Sequence, residues 1–224
     1  SIGIISIIVL VLVNFEVLGN GKSSFPNELR NKYRQFLIVL IAYFFVDAMW
    51  GLLYEQRWVV AAYIDTILVF SSMVLSVLFW TKAVVVFIGN KGKQTKLFVF
   101  GGWFIFGFEM AILTVNLFVP IVFTFTAEKE YVALPARYIA LLMQMIMFLG
   151  TAIHAFAEST KSEGINKAHY RTVGCSAIIM AIFIALQTLF PFMPLYALGC
   201  LFATCSIHSF IYREKDIVHK HEME

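Results

Sequence analysis

Three carboxylates and one guanidinium, Asp47, Asp65, Glu109 and Arg137, stand inside long apolar runs of this sequence. A charge at that depth in a bilayer is expensive, so each such group must be neutral, paired or turned towards a polar cavity. Asp47 lies in FLIVLIAYFFVDAMWGLLYE, Phe36 to Glu55. A run of about 20 residues crosses the hydrocarbon core as a helix, which puts Asp47 roughly 10 Å from the nearer end at about 1.5 Å per residue.

Helical spacing gathers the polar residues onto faces. Tyr43, Asp47, Trp50, Gly51 and Tyr54 share one, and Asp65, Val69, Ser72 and Ser76 a second. Gly102, Phe106, Glu109, Leu113 and Asn116 make a third; Arg137, Leu141, Gln144 and Phe148 a fourth, with Gln187 at similar depth. The chemistry this suggests is binding of a small molecule in an outward-opening cavity walled by aromatics. Its expected ligand-binding residues are Asp47, Trp50, Tyr54, Asp65, Glu109, Asn116, Arg137, Gln144 and Gln187. In the rival reading, Arg137 neutralises one acid and the rest are interhelical packing bonds. Several acids facing one base leave an unbalanced site, which favours the ligand.

His154 and His208 fall at similar depth on the other side and are the nearest approach to a metal or haem pair. No ligand-spacing motif supports them, so no metal and no cofactor are expected. No Gly-rich phosphate loop, HExxH or CxxC occurs, which leaves phosphate-loop, zinc-protease and thiol-redox chemistry without a motif. The run 194–212 has no lysine for a retinal Schiff base, no DRY follows the third run and no NPxxY closes the seventh. An intramembrane enzyme with Asp47 or Glu109 as general base lacks a nucleophile or metal motif beside it, and no enzymatic activity is expected of this chain.

The elements that position these residues follow from composition. The chain has 224 residues, 60% hydrophobic and 14% charged, with mean hydropathy +0.82. Soluble domains carry about 25% charged residues, so this composition reads as an all-α integral membrane protein. Seven apolar runs, roughly 2–18, 35–54, 59–88, 97–119, 134–157, 172–190 and 194–212, predict a seven-transmembrane helix bundle. Alternate loops are basic: Lys22, Arg30, Lys32 and Arg34; then Lys91, Lys93 and Lys96; then Lys161, Lys167 and Arg171. Basic loops stay cytoplasmic, which predicts an outside N-terminus and a cytoplasmic C-terminus. Bases dispersed between runs, with a net charge of +3, do not form a nucleic-acid footprint. Cys175, Cys200 and Cys205 all lie inside apolar runs and read as packing thiols.

The strings YRQFLIVLIAYFFVDAMWGLLYE, AYIDTILVFSSMVLSVLFWTK, GGWFIFGFEMAILTVNLFVP, LPARYIALLMQMIMF and LFPFMPLYALGCLFATCSIHSF carry a resemblance. Together they resemble the seven-helix N-terminal sensor region of bacterial, Firmicutes-type, GGDEF diguanylate cyclases and histidine kinases. The resemblance runs from about Lys32 to Tyr212. It implies a sensory input module in the cytoplasmic membrane, with residues 213–224 opening a signalling helix towards a cytoplasmic output domain. It also implies a homodimer, because cyclase and kinase outputs act as dimers in such proteins. No GG[DE]EF string or kinase His box is present, so catalysis would belong to a longer parent. The alternative function is a small-solute or proton-coupled transporter, against which stands the lack of an internal repeat.

Overall fold

In lipid, a backbone without water must satisfy its own hydrogen bonds, so long apolar runs fold as helices. A computed structural model describes residues 2–19, 27–89 and 92–221, and side chains at 3–19, 27–89 and 92–210; it is mostly helical. The helices are α1 (Ile2–Val13), α2 (Phe15–Leu18), α3 (Asn27–Glu55), α4 (Val59–Ile88) and α5 (Lys93–Asn116). A hairpin of β1 (Phe123–Phe125) and β2 (Tyr131–Ala133) follows, then α6 (Pro135–Thr160), α7 (Gly164–Leu189) and α8 (Leu195–His221). Five of these, α3 to α7, are long and apolar enough to cross a membrane. That fits a membrane protein.

Three features depart from the sequence expectation. The first apolar run is not one helix: it breaks at Asn14, whose Nδ2 bonds back to the Leu10 carbonyl at 3.0 Å, leaving a 12-residue α1 and a single-turn α2. The polar residues before Phe36 are helical from Asn27, so Arg30, Lys32 and Arg34 belong to α3 rather than to a loop. The connection between α5 and α6 holds an antiparallel hairpin, in register Phe123 to Ala133 and Phe125 to Tyr131, which departs from an all-helical fold. Lys22, Lys91 and residues 222–224, which enter the charge count and the signalling-helix reading, lie outside the described residues.

Short connections make the helices alternate in direction. Turn 56–58, the hairpin and turn 190–194 gather at one end, called here the hairpin end; the C-terminus of α4, the N-terminus of α5 and turn 161–163 lie at the other. Helix α1 runs antiparallel to α3, because Gly3 meets Phe44 and Ala48 while Asn14 Oδ1 accepts from the Tyr33 hydroxyl at 3.4 Å. Arg30 donates from Nη2 to the carbonyls of Glu16 and Gly19, satisfying acceptors that a helix C-terminus leaves open.

Helix α4 is the hub and packs on α3, α5 and α6. Trp80 packs its ring against Phe36 (5.4 Å between centroids) and Phe148 (6.3 Å) and donates to Thr151 Oγ1 at 3.2 Å. Ser76 and the Tyr196 hydroxyl share a 2.6 Å bond that ties α4 to α8. A smaller cluster of Phe70, Leu113, Val122 and Phe123 seats the hairpin on the bundle. The outward surface stays apolar: Leu12, Phe45, Val60, Phe100 and Ile153 are all more than half exposed. An apolar surface of that extent suits lipid rather than water.

Candidate functional site

At the hairpin end the helices enclose a cavity of about 270 Å³. Three helices present faces to it by their 3.6-residue repeat: Tyr43, Asp47 and Trp50 with Gly51 from α3; Thr66, Val69, Phe70 and Met73 from α4; Arg137 and Leu141 from α6. Gly3 of α1, Tyr131 of β2, Gln187 of α7 and the turn Pro191–Pro194 close it.

Aromatic rings line its mouth. Trp50 stacks on Tyr54 at 5.0 Å and 8°, and meets Tyr131 edge-on at 5.8 Å and 90°. Phe192 lies 6.2 Å from both Trp50 and Tyr131. The Trp50 indole donates to Thr66 Oγ1 at 2.9 Å, which locks the ring. Burial pushes the Tyr131 phenol up to about 12, with Arg137 acting in the opposite direction, so Tyr131 is a neutral hydroxyl near pH 7.

One carboxyl group and one guanidinium share this cavity. Asp47 is half-buried, and its one hydrogen bond among the described residues is a long 3.5 Å contact from the Tyr43 hydroxyl. Arg137 is only 3% exposed; its Nη2 donates to the Gln187 carbonyl at 3.2 Å, and Nη1 has no hydrogen-bond partner. Its guanidinium also lies 5.5 Å from the Tyr138 ring. Among the described residues neither Asp47 nor Arg137 forms an ion pair. A cavity with an uncompensated cation and a weakly bonded carboxylate suits a charged guest.

Of the nine expected ligand-binding residues, the fold brings Asp47, Trp50, Arg137 and Gln187 to the cavity, with Tyr54 behind Trp50. Tyr54 spends its hydroxyl on Glu130 Oε2 at 2.9 Å. Gln187 is occupied structurally: Oε1 accepts from the amides of Leu195 (2.8 Å) and Tyr196 (3.2 Å), and Nε2 donates to the Pro191 carbonyl. It thereby caps the start of α8 across a turn.

The other four lie elsewhere. Asn116 organises the hairpin: its Oδ1 accepts from the amides of Ile121, Val122 and Phe123, while Nδ2 donates to the Tyr63 hydroxyl and the Phe123 carbonyl. Glu109 and Gln144 pair between α5 and α6, Gln144 Nε2 donating to Glu109 Oε2 at 2.8 Å, with Glu109 Oε1 and the Gln144 amide oxygen buried and unpartnered. Asp65 is buried on α4 beside Thr66 and is not part of the cavity lining, with Oδ2 unpartnered. His154 stacks on Phe98 at 5.2 Å from α6, whereas His208 lies on α8, with α7 packed against both helices. Among the described residues, no group of three or more His, Cys, Asp or Glu could hold a metal ion.

Residues that sequence reasoning did not assign to the site include Gly3, Thr66, Met73 and Phe192. Phe192 had a visible signal, standing between Pro191 and Pro194 where a tight turn must project its side chain. Gly3, which comes from the first helix of the chain, had none. Comparison with known proteins returns no matching family model, no matching curated protein and no matching solved structure.

Proposed function

We propose that this chain is the seven-helix, membrane-embedded input module of a bacterial signalling protein, with the N-terminus outside and the C-terminus in the cytoplasm. It binds a small ligand in the hairpin-end cavity and passes the change through α8 to a cytoplasmic output domain, a diguanylate cyclase or histidine kinase. The seven-span reading adds α1 and α8 to the five long helices. Helix α1 turns Ile4, Ile5, Ile8 and Leu12 outward, as the long helices do with their own apolar residues. The apolar part of α8, Leu195–Phe210, is 16 residues, about 24 Å of helix.

The observation that carries the proposal is where the cavity wall leads. Turn 190–194 forms one side of the cavity and leads directly into α8. Arg137 bonds the Gln187 carbonyl, and the Gln187 side chain bonds the first two amides of α8. A guest that engages Arg137 or Phe192 therefore acts on the start of a helix of 27 residues, about 40 Å long, that ends on the opposite side. The signal is bounded by the ligand's difference in affinity between two helix arrangements.

The test uses Gly51, whose Cβ direction on the cavity wall meets nothing within 4 Å. Gly51→Phe fills the cavity from a helix that keeps its backbone. Solutes that raise the unfolding midpoint of the purified protein should lose that effect in Gly51→Phe. A hit unaffected by the substitution places binding outside the cavity. Uptake of a hit into proteoliposomes, abolished by the same substitution, would replace the sensor reading with that of a transporter.

A further inference from the structure

We propose that the guest of this cavity is a zwitterionic amino acid with an apolar side chain, its carboxylate on Arg137 and its ammonium on Asp47. The inference rests on the reading of the cavity as a ligand site and adds the chemical class of the ligand.

The charges carry it. Arg137 is nine-tenths buried and more, lines the cavity, and keeps one guanidinium nitrogen without a partner. Guanidinium is a planar fork matched to a carboxylate. Asp47 lines the same cavity from α3, and among the described residues no ion pair joins it to Arg137 or to any other base. An anion alone would satisfy the arginine and leave the aspartate facing a second negative charge. A cation alone would do the reverse. A molecule with both charges satisfies both walls and adds no net charge to a site inside an apolar bundle, where an uncompensated charge is costly.

The remaining walls select the body of the guest. Tyr43, Trp50, Phe70, Met73, Tyr131 and Phe192 offer rings and a thioether, which favour an aromatic or large aliphatic side chain over a polar one. The size agrees. A cavity of about 270 Å³ falls just below the roughly 300–1,000 Å³ typical of ligand pockets, which suits one amino acid rather than a peptide.

The experiment is isothermal titration of the detergent-solubilised chain with L-phenylalanine, L-leucine, 3-phenylpropanoate and 2-phenylethylamine, on wild type, Asp47→Asn, Arg137→Gln and Gly51→Phe. The expected result is saturable binding of L-phenylalanine or L-leucine. Each single-charge analogue should bind roughly 10- to 100-fold more weakly, the worth of one charged hydrogen bond. Asp47→Asn should weaken the amino acid but not 3-phenylpropanoate, and Arg137→Gln should weaken the amino acid but not 2-phenylethylamine. Because the analogues vary the ligand on the wild-type protein, the result stands even if Arg137→Gln fails to fold. If 3-phenylpropanoate or 2-phenylethylamine binds as tightly as the amino acid, and Gly51→Phe blocks it, the zwitterion is wrong and the cavity reading survives. The zwitterion is equally wrong if none of the four binds while another solute binds in a Gly51→Phe-sensitive way. If no solute shows Gly51→Phe-sensitive binding, both readings fall.

Discussion

The packing of α8 on α7 depends on one missing methyl group. A Cβ built on Gly199 would stand 2.5 Å from Phe183 Cβ and 2.8 Å from its Cγ. Carbon atoms in contact sit about 3.5–4.0 Å apart, so Gly199→Ala forces a separation of roughly 1 Å or more. The obstructing atoms are the stem of Phe183 rather than its ring tip, so a rotamer change cannot clear them and the helices must part. Overpacking of this kind costs about 1–3 kcal/mol. For a chain of this size that lowers an unfolding midpoint by roughly 2–12 °C. Gly107 on α5 is the control, because its Cβ direction meets nothing within 4 Å. Gly107→Ala should gain about 0.8–1 kcal/mol of helix propensity and raise the midpoint by roughly 2–4 °C. Tryptophan fluorescence during a thermal ramp of the purified protein in detergent measures both. The reasoning is refuted if Gly199→Ala matches wild type, or if Gly107→Ala falls as far as Gly199→Ala.

Other outcomes follow from the same contacts. Glu109→Leu and Gln144→Leu should each cost about 1–3 kcal/mol by stranding a buried partner, while the double variant should cost less than the sum; additive losses would mean that their 2.8 Å bond contributes nothing. Asn116→Ala removes the acceptor for three hairpin amides, so the segment 117–134 should become sensitive to limited proteolysis while α3 to α7 stay protected. The raised Tyr131 phenol favours the folded state while neutral, so its contribution is intact below pH 10 and is lost as pH rises from 10 to about 12. Tyr131→Phe should flatten alkaline unfolding across that window, and an unchanged profile would remove Tyr131 from its cause. With Cys175, Cys200 and Cys205 replaced by alanine, a cysteine at Lys129 should react with impermeant maleimide on intact cells, and one at Lys161 only after lysis. The reverse pattern would invert the proposed orientation.

Much of this protein is legible in its sequence. Apolar length alone determines the long helices, because a backbone without water has no other way to satisfy its hydrogen bonds. The third apolar run, 59–88, coincides with α4, Val59–Ile88. The 3.6-residue repeat also places Tyr43, Asp47, Trp50 and Gly51 on one face, and Arg137 with Leu141 on another; both faces line the cavity. What periodicity does not contain is which neighbour a face meets. Helical spacing groups Glu109 and Gln144 with Asp47 as expected site residues, yet α5 contributes nothing to the cavity lining, and the two pair with each other instead. Asn116 likewise has the chemistry of a ligand contact, but the chain after it turns back within seven residues and consumes its hydrogen bonds. Gly3, 40 residues from Tyr43 in sequence, reaches the same cavity only because α1 folds back along α3. Local spacing settles the composition of each face; the pairing of faces is a property of the packed bundle, in which long-range contacts decide which buried polar groups satisfy each other and which remain open to a guest.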